Sequence, residues 1–167
     1  MAVCRSFVRS MIEHYVGMEK FLTDLNRRLY SDTDSAHFVT MASVVLNRRT
    51  NVCEYGCAGH TPLFVQQRVG GTLSIKPEGV ALGLLPNDFG VSFETLTFAF
   101  DPGTRLLLFT DGITEALNDR DEEFGLPRLK KLWSTECSNP EQTTSRIVEE
   151  IRQFAGDVPQ TDDQTML

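Results

Sequence analysis

The chain has 167 residues, of which 41% are hydrophobic and 23% are charged, as is ordinary for one globular domain with its own core. Its formal net charge of −7 argues against a surface that binds nucleic acid or an anionic membrane. The sequence shows no apolar segment long enough to cross a membrane and no signal peptide, so we expect a cytoplasmic protein.

The sequence contains four cysteines, Cys4, Cys53, Cys57 and Cys137. Cys53 and Cys57 fall in one predicted strand, where extended chain would separate them by about 13 Å. That separation is too long for a disulfide bond, and the spacing also differs from that of a zinc knuckle. We therefore expect four reduced thiols that mostly contribute to packing, in keeping with a cytoplasmic location.

The periodicity of apolar residues predicts helices at both ends of the chain and strands between them. Helical spacing predicts helices over residues 3–15, 18–29, 126–133 and 140–154. Short runs rich in β-branched and apolar residues predict strands over residues 38–46, 52–58, 63–67, 72–76, 91–100 and 105–110. Polar residues 31–35 predict a loop, residues 47–51 a hairpin turn, and residues 101–104 a type II turn. This order predicts a single α+β domain over residues 1–167.

Two acidic clusters carry the strongest chemical signal. Asp111 follows the apolar residues 106–109, a run typical of a strand buried on both faces. A carboxylate at the end of such a strand is costly unless a cation or hydrogen bonds compensate it. Asp162 and Asp163 form a second cluster near the end of the sequence. Because hard divalent cations prefer carboxylate oxygens, we predict that the two clusters meet around a divalent metal. Gly112 would let the backbone turn sharply and leave room for metal or phosphate.

Each of these signals also has a simpler interpretation. An Asp-Gly pair is most often only a turn, and two consecutive aspartates near a chain end are most often solvated. The acidic balance can serve solubility alone. The apolar strand before Asp111 favours the metal interpretation, but spacing by itself leaves both open.

Six short segments occur in an order that is typical of one known family. They are residues 38–41, Ala-Gly-His-Thr-Pro at 58–62, Leu-Gly at 82–83, Thr-Asp-Gly-Ile-Thr-Glu-Ala at 110–116, Glu-Phe-Gly at 123–125 and Asp-Asp-Gln-Thr at 162–165. On these segments the chain resembles, over nearly its whole length, the SpoIIE/RsbU branch of the bacterial metal-dependent (type 2C, PPM) serine/threonine protein phosphatases. The resemblance implies an α-β-β-α layered antiparallel β-sandwich flanked by helices.

The resemblance also implies a site and an activity. Asp111 and Asp162 match the family's metal-binding aspartates, with Asp163 as their neighbour and Gly112 near the substrate. The intact domain is expected to hold two Mn²⁺ or Mg²⁺ ions and to act through a water that they activate. The implied reaction is hydrolysis of phosphoserine or phosphothreonine on a regulatory protein of the anti-anti-sigma type. An upstream sensor or receiver domain is expected in the parent chain.

One departure from the family bears on both fold and activity. The Asp-Gly-x-x-Gly-His-Gly motif, whose aspartate bridges the two metals in the family, does not occur in this sequence. We therefore expect an N-terminally truncated domain that lacks this ligand and the strands that carry it. The sheet edges exposed in this way favour a homodimer. The alternative to an active phosphatase is a catalytically deficient domain that serves as a regulatory binding or dimerisation module.

Four further residues have modest predicted roles. His60 is expected to be a turn residue or an indirect neighbour of the site rather than a general acid. Cys57 stands where relatives usually have asparagine, and we expect local packing to accommodate it. Glu115 is expected near the first turn of a helix after the Asp-Gly turn. Trp133 is expected in the core.

Overall fold

The computed structural model of the protein describes residues 2–32, 37–68, 70–135 and 139–167. The chain forms two compact units. The first comprises the residues up to Pro62 together with Lys76–Asp101, and the second comprises Leu63–Ile75 and Pro102–Leu167. Both units combine helices with a short antiparallel sheet, which confirms the predicted α+β class.

The first unit begins with two helices, α1 (Ala2–Ile12) and α2 (Met18–Asp32). Both were predicted, and Gly17 separates them with a backbone φ of +149°. The predicted loop at residues 31–35 is wrong at its start, because residues 31 and 32 still belong to α2, and the rest of it lies outside the described residues. The apolar stripe of α2 packs against α1 and β2, and burial of this stripe stabilises the pair. The buried residues of this core are Cys4, Met18, Phe21, Leu22, Leu25, Leu29, Ala58, Leu82 and Phe93.

The sheet of the first unit has the strand order β1-β2-β5 and is antiparallel throughout. Its strands are β1 (Met41–Asn47), β2 (Val52–Ala58) and β5 (Thr95–Ala99). The predicted hairpin between β1 and β2 is confirmed, and the Asn47 side chain accepts hydrogen bonds from the backbone N–H groups of Arg49 and Thr50 within its turn. The strands predicted over residues 38–46 and 91–100 are shorter in the structure. Residues that favour strands also occur just outside β1 and β5, but these flanking residues do not belong to either strand.

The second unit has its own sheet, with the order β4-β3-β6. Its strands are β3 (Leu63–Gln66), β4 (Thr72–Ile75) and β6 (Arg105–Leu107), and its helices are α3 (Asp111–Thr114), α4 (Gly125–Ser134) and α5 (Pro140–Ala155). Asn139 caps α5 by accepting a hydrogen bond from the Gln142 N–H (2.8 Å), and Pro140 occupies the first turn as predicted. The core of this unit consists of Phe64, Leu107, Phe109, Ile113, Ala116, Phe124, Leu129, Trp133, Ile147 and Ile151. The predicted core position of Trp133 is therefore confirmed.

The strand before Asp111 differs from its prediction. It ends at Leu107 rather than at residue 110, and its residues alternate between the core and partial exposure instead of being buried on both faces. Leu107 and Phe109 point into the core of the second unit, whereas Leu106 and Leu108 are half-buried. The continuous apolar run concealed this period of two, because all four residues are hydrophobic.

Three of the four cysteines lie in the described part of the chain. Cys4, Cys53 and Cys57 are all buried free thiols, as predicted. Burial raises the pKa of Cys53 to about 11, and the neighbouring Glu54 carboxylate contributes to this rise. Cys137 lies outside the described residues. No helix among the described residues combines the length and apolarity that a membrane span requires.

Candidate metal site

The C-terminal segment of the chain lies antiparallel beside the residues that lead to Asp111. Leu108 and Leu167 exchange two backbone hydrogen bonds, of 3.1 and 3.0 Å, and the Thr110 N–H donates to the Thr165 carbonyl at 3.0 Å. Phe109 and Met166 form a bridge between the two segments. This pairing is local to the second unit. It brings the backbone of Asp111 beside that of residues 162 and 163, so the predicted convergence of the two acidic segments is found.

Thr110 links the two segments through its side chain as well as its backbone. Its hydroxyl donates a hydrogen bond to the Asp163 carbonyl (2.8 Å) and accepts one from the Thr165 N–H (2.9 Å). A threonine at the N-cap of a helix usually bonds to that helix, but Thr110 makes no such cap bond to α3. The sequence analysis assigned no role to Thr110. Its place directly before the Asp-Gly pair is the one signal that pointed to it.

Gly112 allows the close approach of the two segments. A Cβ atom at this position would lie 2.6 Å from the Asp163 carbonyl oxygen and 3.1 Å from the Asp162 carbonyl oxygen. Gly112 belongs to α3, and its backbone φ is not positive. The glycine is therefore needed for its missing side chain rather than for an unusual backbone conformation. The backbone of residues 162 and 163 fills the space that a side chain at this position would need.

The three aspartate side chains are exposed. The Asp111 Oδ1 accepts a hydrogen bond from the Gly112 N–H (3.1 Å), and the Asp162 Oδ1 accepts one from the Asp163 N–H (2.7 Å). These bonds restrict both carboxylates, and in the described part of the chain the other oxygen of each has no hydrogen-bond partner. The expected burial of the Asp111 carboxylate is wrong, because Asp111 is the exposed first residue of α3, whereas Gly112, Ile113 and Thr114 after it are buried.

The donor set of this site suits only some cations. Within residues 2–32, 37–68, 70–135 and 139–167, no three His, Cys, Asp or Glu side chains are grouped so that they could hold one ion. One or two carboxylates with water in the remaining positions are a usual arrangement for Mg²⁺, and Mn²⁺ shares its preference for oxygen ligands. The residues present therefore fit a hydrated hard cation, and they do not fit a closed site made only of protein ligands.

The remaining predicted residues lie around the two units as follows. Glu115 is the C-cap of α3 rather than a first-turn residue, because this helix is only four residues long. Its N–H donates to the Asp111 carbonyl (2.8 Å), as does the Thr114 hydroxyl (3.1 Å).

His60 lies in the loop after β2 of the first unit, where its Nδ1 accepts a hydrogen bond from the Thr61 N–H (2.8 Å). The buried Cys57 thiol lies 3.4 Å from the His60 carbonyl, which agrees with accommodation by local packing.

The fold is that of the PP2C phosphatase domains. The chain superposes on the SiaA-PP2C domain of Pseudomonas aeruginosa with a TM-score of 0.79 at 19% identity, covering 99% of this chain and 66% of that one. It matches the manganese-soaked phosphatase domain of SpoIIE from Bacillus subtilis with a TM-score of 0.67 at 16% identity (98% and 71%). RsbX in complex with magnesium gives 0.68 at 14% identity (99% and 69%).

Sequence comparison identifies the family. The family described as Stage II sporulation protein E (SpoIIE) matches residues 1–167, and the chain belongs to it. Protein IcfG of Synechocystis sp. (strain ATCC 27184 / PCC 6803 / Kazusa) is 31% identical over 134 residues, which cover 80% of this chain and 21% of that protein. Phosphoserine phosphatase RsbU of Bacillus subtilis (strain 168) is 27% identical over 158 residues, covering 90% and 45%. The chain thus spans less than half of the length of these two relatives.

Proposed function

We propose that this chain is the phosphatase domain of a bacterial signalling protein and that it hydrolyses phosphoserine or phosphothreonine on a regulatory protein. The observation that carries the proposal is the hydrogen-bonded pairing of residues 162–167 with residues 108–112, in which the backbone of Asp162 and Asp163 lies against Gly112, the residue after Asp111. Membership of the SpoIIE family and the similarity to a phosphoserine phosphatase support the same activity.

Asp111, Asp162 and Asp163 would hold Mn²⁺ or Mg²⁺, the ions named for the SpoIIE and RsbX structures, with two ions in the intact domain. When bound, such ions neutralise phosphate charge and lower the pKa of a bound water. The chain's own contribution is positioning. Thr110 and Gly112 hold the two acidic segments together, and the backbone N–H groups of Gly112 and Asp163 orient two of the carboxylates.

The partners follow from this proposal. We expect the substrate to be a phosphorylated protein of the anti-anti-sigma type, and an upstream sensor or receiver domain to control the phosphatase. Exposed sheet edges would allow a homodimer. Size-exclusion chromatography with light scattering at several concentrations measures the oligomeric state directly.

Replacing Asp111 by asparagine is expected to lower manganese-dependent hydrolysis of p-nitrophenyl phosphate at least about 100-fold, because the amide has no charge with which to hold a hard cation. The change keeps the size of the side chain, so the fold should persist. Asp119→Asn is the matched control, since Asp119 is equally exposed in the second unit but lies in the turn between residues 117 and 123. Equal rates for Asp111→Asn and the unmodified chain would contradict the assignment.

A second candidate function is a binding module without turnover. It is favoured by the lack, among the described residues, of any group of three potential ligands around one ion. Isothermal titration with Mn²⁺ separates the two candidates when it is combined with the ester assay. Manganese binding together with hydrolysis supports the phosphatase. Absence of both manganese binding and hydrolysis supports the binding module.

A further inference from the structure

A pocket of about 200 Å³ adjoins the paired acidic segments within the second unit. The face formed by α5 contributes Val148, Ile151 and Arg152, and residues 158–161 close the opposite side. Gly112 and Gln164 also line the pocket. Because Gly112 contacts the backbone of residues 162 and 163, the pocket borders the candidate metal site directly.

The pocket is too small for a whole cofactor or a drug-sized ligand, which usually needs about 300 Å³ or more. One part of its wall is apolar and is formed by Ala116, Leu117, Val148, Ile151, Val158 and Pro159, and polar residues, among them Gln160, Thr161 and Gln164, form the rest. Such a cavity accommodates a single side chain of a larger molecule. A macromolecular substrate whose phosphorylated residue lies at the aspartates would place a flanking residue here.

Arg152 is the one charged residue among those that line the pocket. Its side chain is exposed, and no residue in the described part of the chain forms an ion pair with it. Part of its role is at the end of α5, where a basic residue interacts favourably with the helix dipole. In the described part of the chain the guanidinium donors nevertheless have no protein acceptor, and they suit a carboxylate of a ligand.

We infer that this pocket is a substrate-specificity site that receives an acidic residue next to the phosphorylated serine or threonine, with Arg152 as the residue that recognises its carboxylate. The inference rests on the proposed function, because it takes a phosphoprotein as the ligand. The aliphatic part of a glutamate would lie along the apolar wall, and its carboxylate would reach the guanidinium at the rim.

The test measures binding rather than turnover, using the full 167-residue chain with Mn²⁺ and fluorescein-labelled peptides in which a non-hydrolysable phosphonate replaces the phosphate of phosphoserine. One peptide carries glutamates on both sides of the phosphoserine, a second carries glutamines, and a third carries the glutamates with unmodified serine. Fluorescence anisotropy should show binding of the acidic phosphopeptide about tenfold tighter than of its glutamine counterpart, the difference expected for one charge-assisted contact.

The decisive variant is Arg152→Glu, which should remove this tenfold preference, whereas Arg152→Lys should retain part of it. Arg146→Glu makes the same change of charge on an exposed residue of the same helix that does not line the pocket, so the preference should survive there. If Arg146→Glu also lost the preference, the net charge of the chain would explain the preference and the pocket would not. An equal loss for both phosphopeptides in Arg152→Glu would mean that Arg152 contacts the phosphate instead. Either result overturns the assignment, as does failure of every peptide to bind.

Hydrolysis of p-nitrophenyl phosphate is measured in parallel, because this ester has no flanking residue to enter the pocket. Its rate should be the same in Arg146→Glu and in the unmodified chain, because Arg146 does not line the pocket. An unmodified chain that binds the acidic phosphopeptide with the predicted preference but does not hydrolyse the ester would count against the phosphatase and leave the pocket assignment intact. Hydrolysis of the ester without any preference for the acidic phosphopeptide would support the phosphatase and count against the pocket assignment.

Discussion

Replacing Gly112 by alanine is expected to separate the two acidic segments and to reduce manganese-dependent phosphatase activity by at least about 100-fold. The new Cβ would lie 2.6 Å from the Asp163 carbonyl oxygen, a distance at which backbone must move. The atom in its way belongs to the main chain, so a change of rotamer cannot relieve the contact. A displacement of about 1 Å between groups that act together costs about 100-fold in rate.

Hydrogen exchange gives a measurement of this displacement that does not depend on activity. The amides of Leu108, Thr110, Thr165 and Leu167 all donate across the junction between the segments. In Gly112→Ala these four amides should lose protection together, while amides in the β1–β2 hairpin of the first unit should keep theirs. The affinity for manganese, measured by calorimetry, should also fall in Gly112→Ala.

Gly71→Ala is the matched control for this substitution. Nothing lies within 4 Å of a Cβ added at residue 71, and its φ is not in the left-handed region. The change should therefore alter neither exchange nor activity. If Gly112→Ala kept full protection of the four amides, the close approach described for Gly112 would be wrong. If protection were lost and activity kept, the aspartates would not act together.

The sequence predicted the elements better than it predicted their ends. The helices α1, α2 and α5 repeat apolar residues over three or more turns, and such a stripe is visible in the sequence alone. The three-residue strand β6 was overestimated, because its apolar run continues past the last sheet hydrogen bonds and gives no sign of where pairing stops. The helix expected near Glu115 was placed too late, because α3 begins at Asp111 and ends before Glu115, and a single turn has no period that would fix its bounds.

The candidate site shows a similar division. The acidic residues at 111, 162 and 163 could be selected from chemistry and family resemblance. The reason for Gly112 could not, because a glycine that permits close approach and a glycine that permits a turn look alike in sequence. The role of the Thr110 hydroxyl depends on hydrogen-bond partners that are distant along the chain, and that of Arg152 depends on a pocket formed with residues that are distant along the chain. Tertiary contacts of this kind leave no local pattern.

Asn26 was overlooked for the same reason, and its loss should destabilise the protein strongly. It lies on the apolar face of α2 and is fully buried. Its Oδ1 accepts from the Gly83 N–H (2.8 Å), and its Nδ2 donates to the Leu85 carbonyl (3.0 Å) and to the Asn87 side chain. Asn26 thus satisfies backbone groups of the loop that precedes β5. Buried polar groups of this kind are costly when they lose their partner.

Asn26→Leu should lower the free energy of unfolding by about 3 kcal/mol, since it leaves the Gly83 N–H and the Leu85 carbonyl without their partner. For a chain of this size the loss corresponds to a fall in Tm of about 6–12 °C. Urea unfolding followed by circular dichroism measures the free energy, and a thermal scan measures the Tm. Arg27→Leu is the matched control: it places the same residue one position further along α2, where Arg27 forms only an exposed ion pair with Asp24, and it should cost less than about 1 kcal/mol. Equal stability of the two variants would show that the buried network contributes nothing beyond the helix itself.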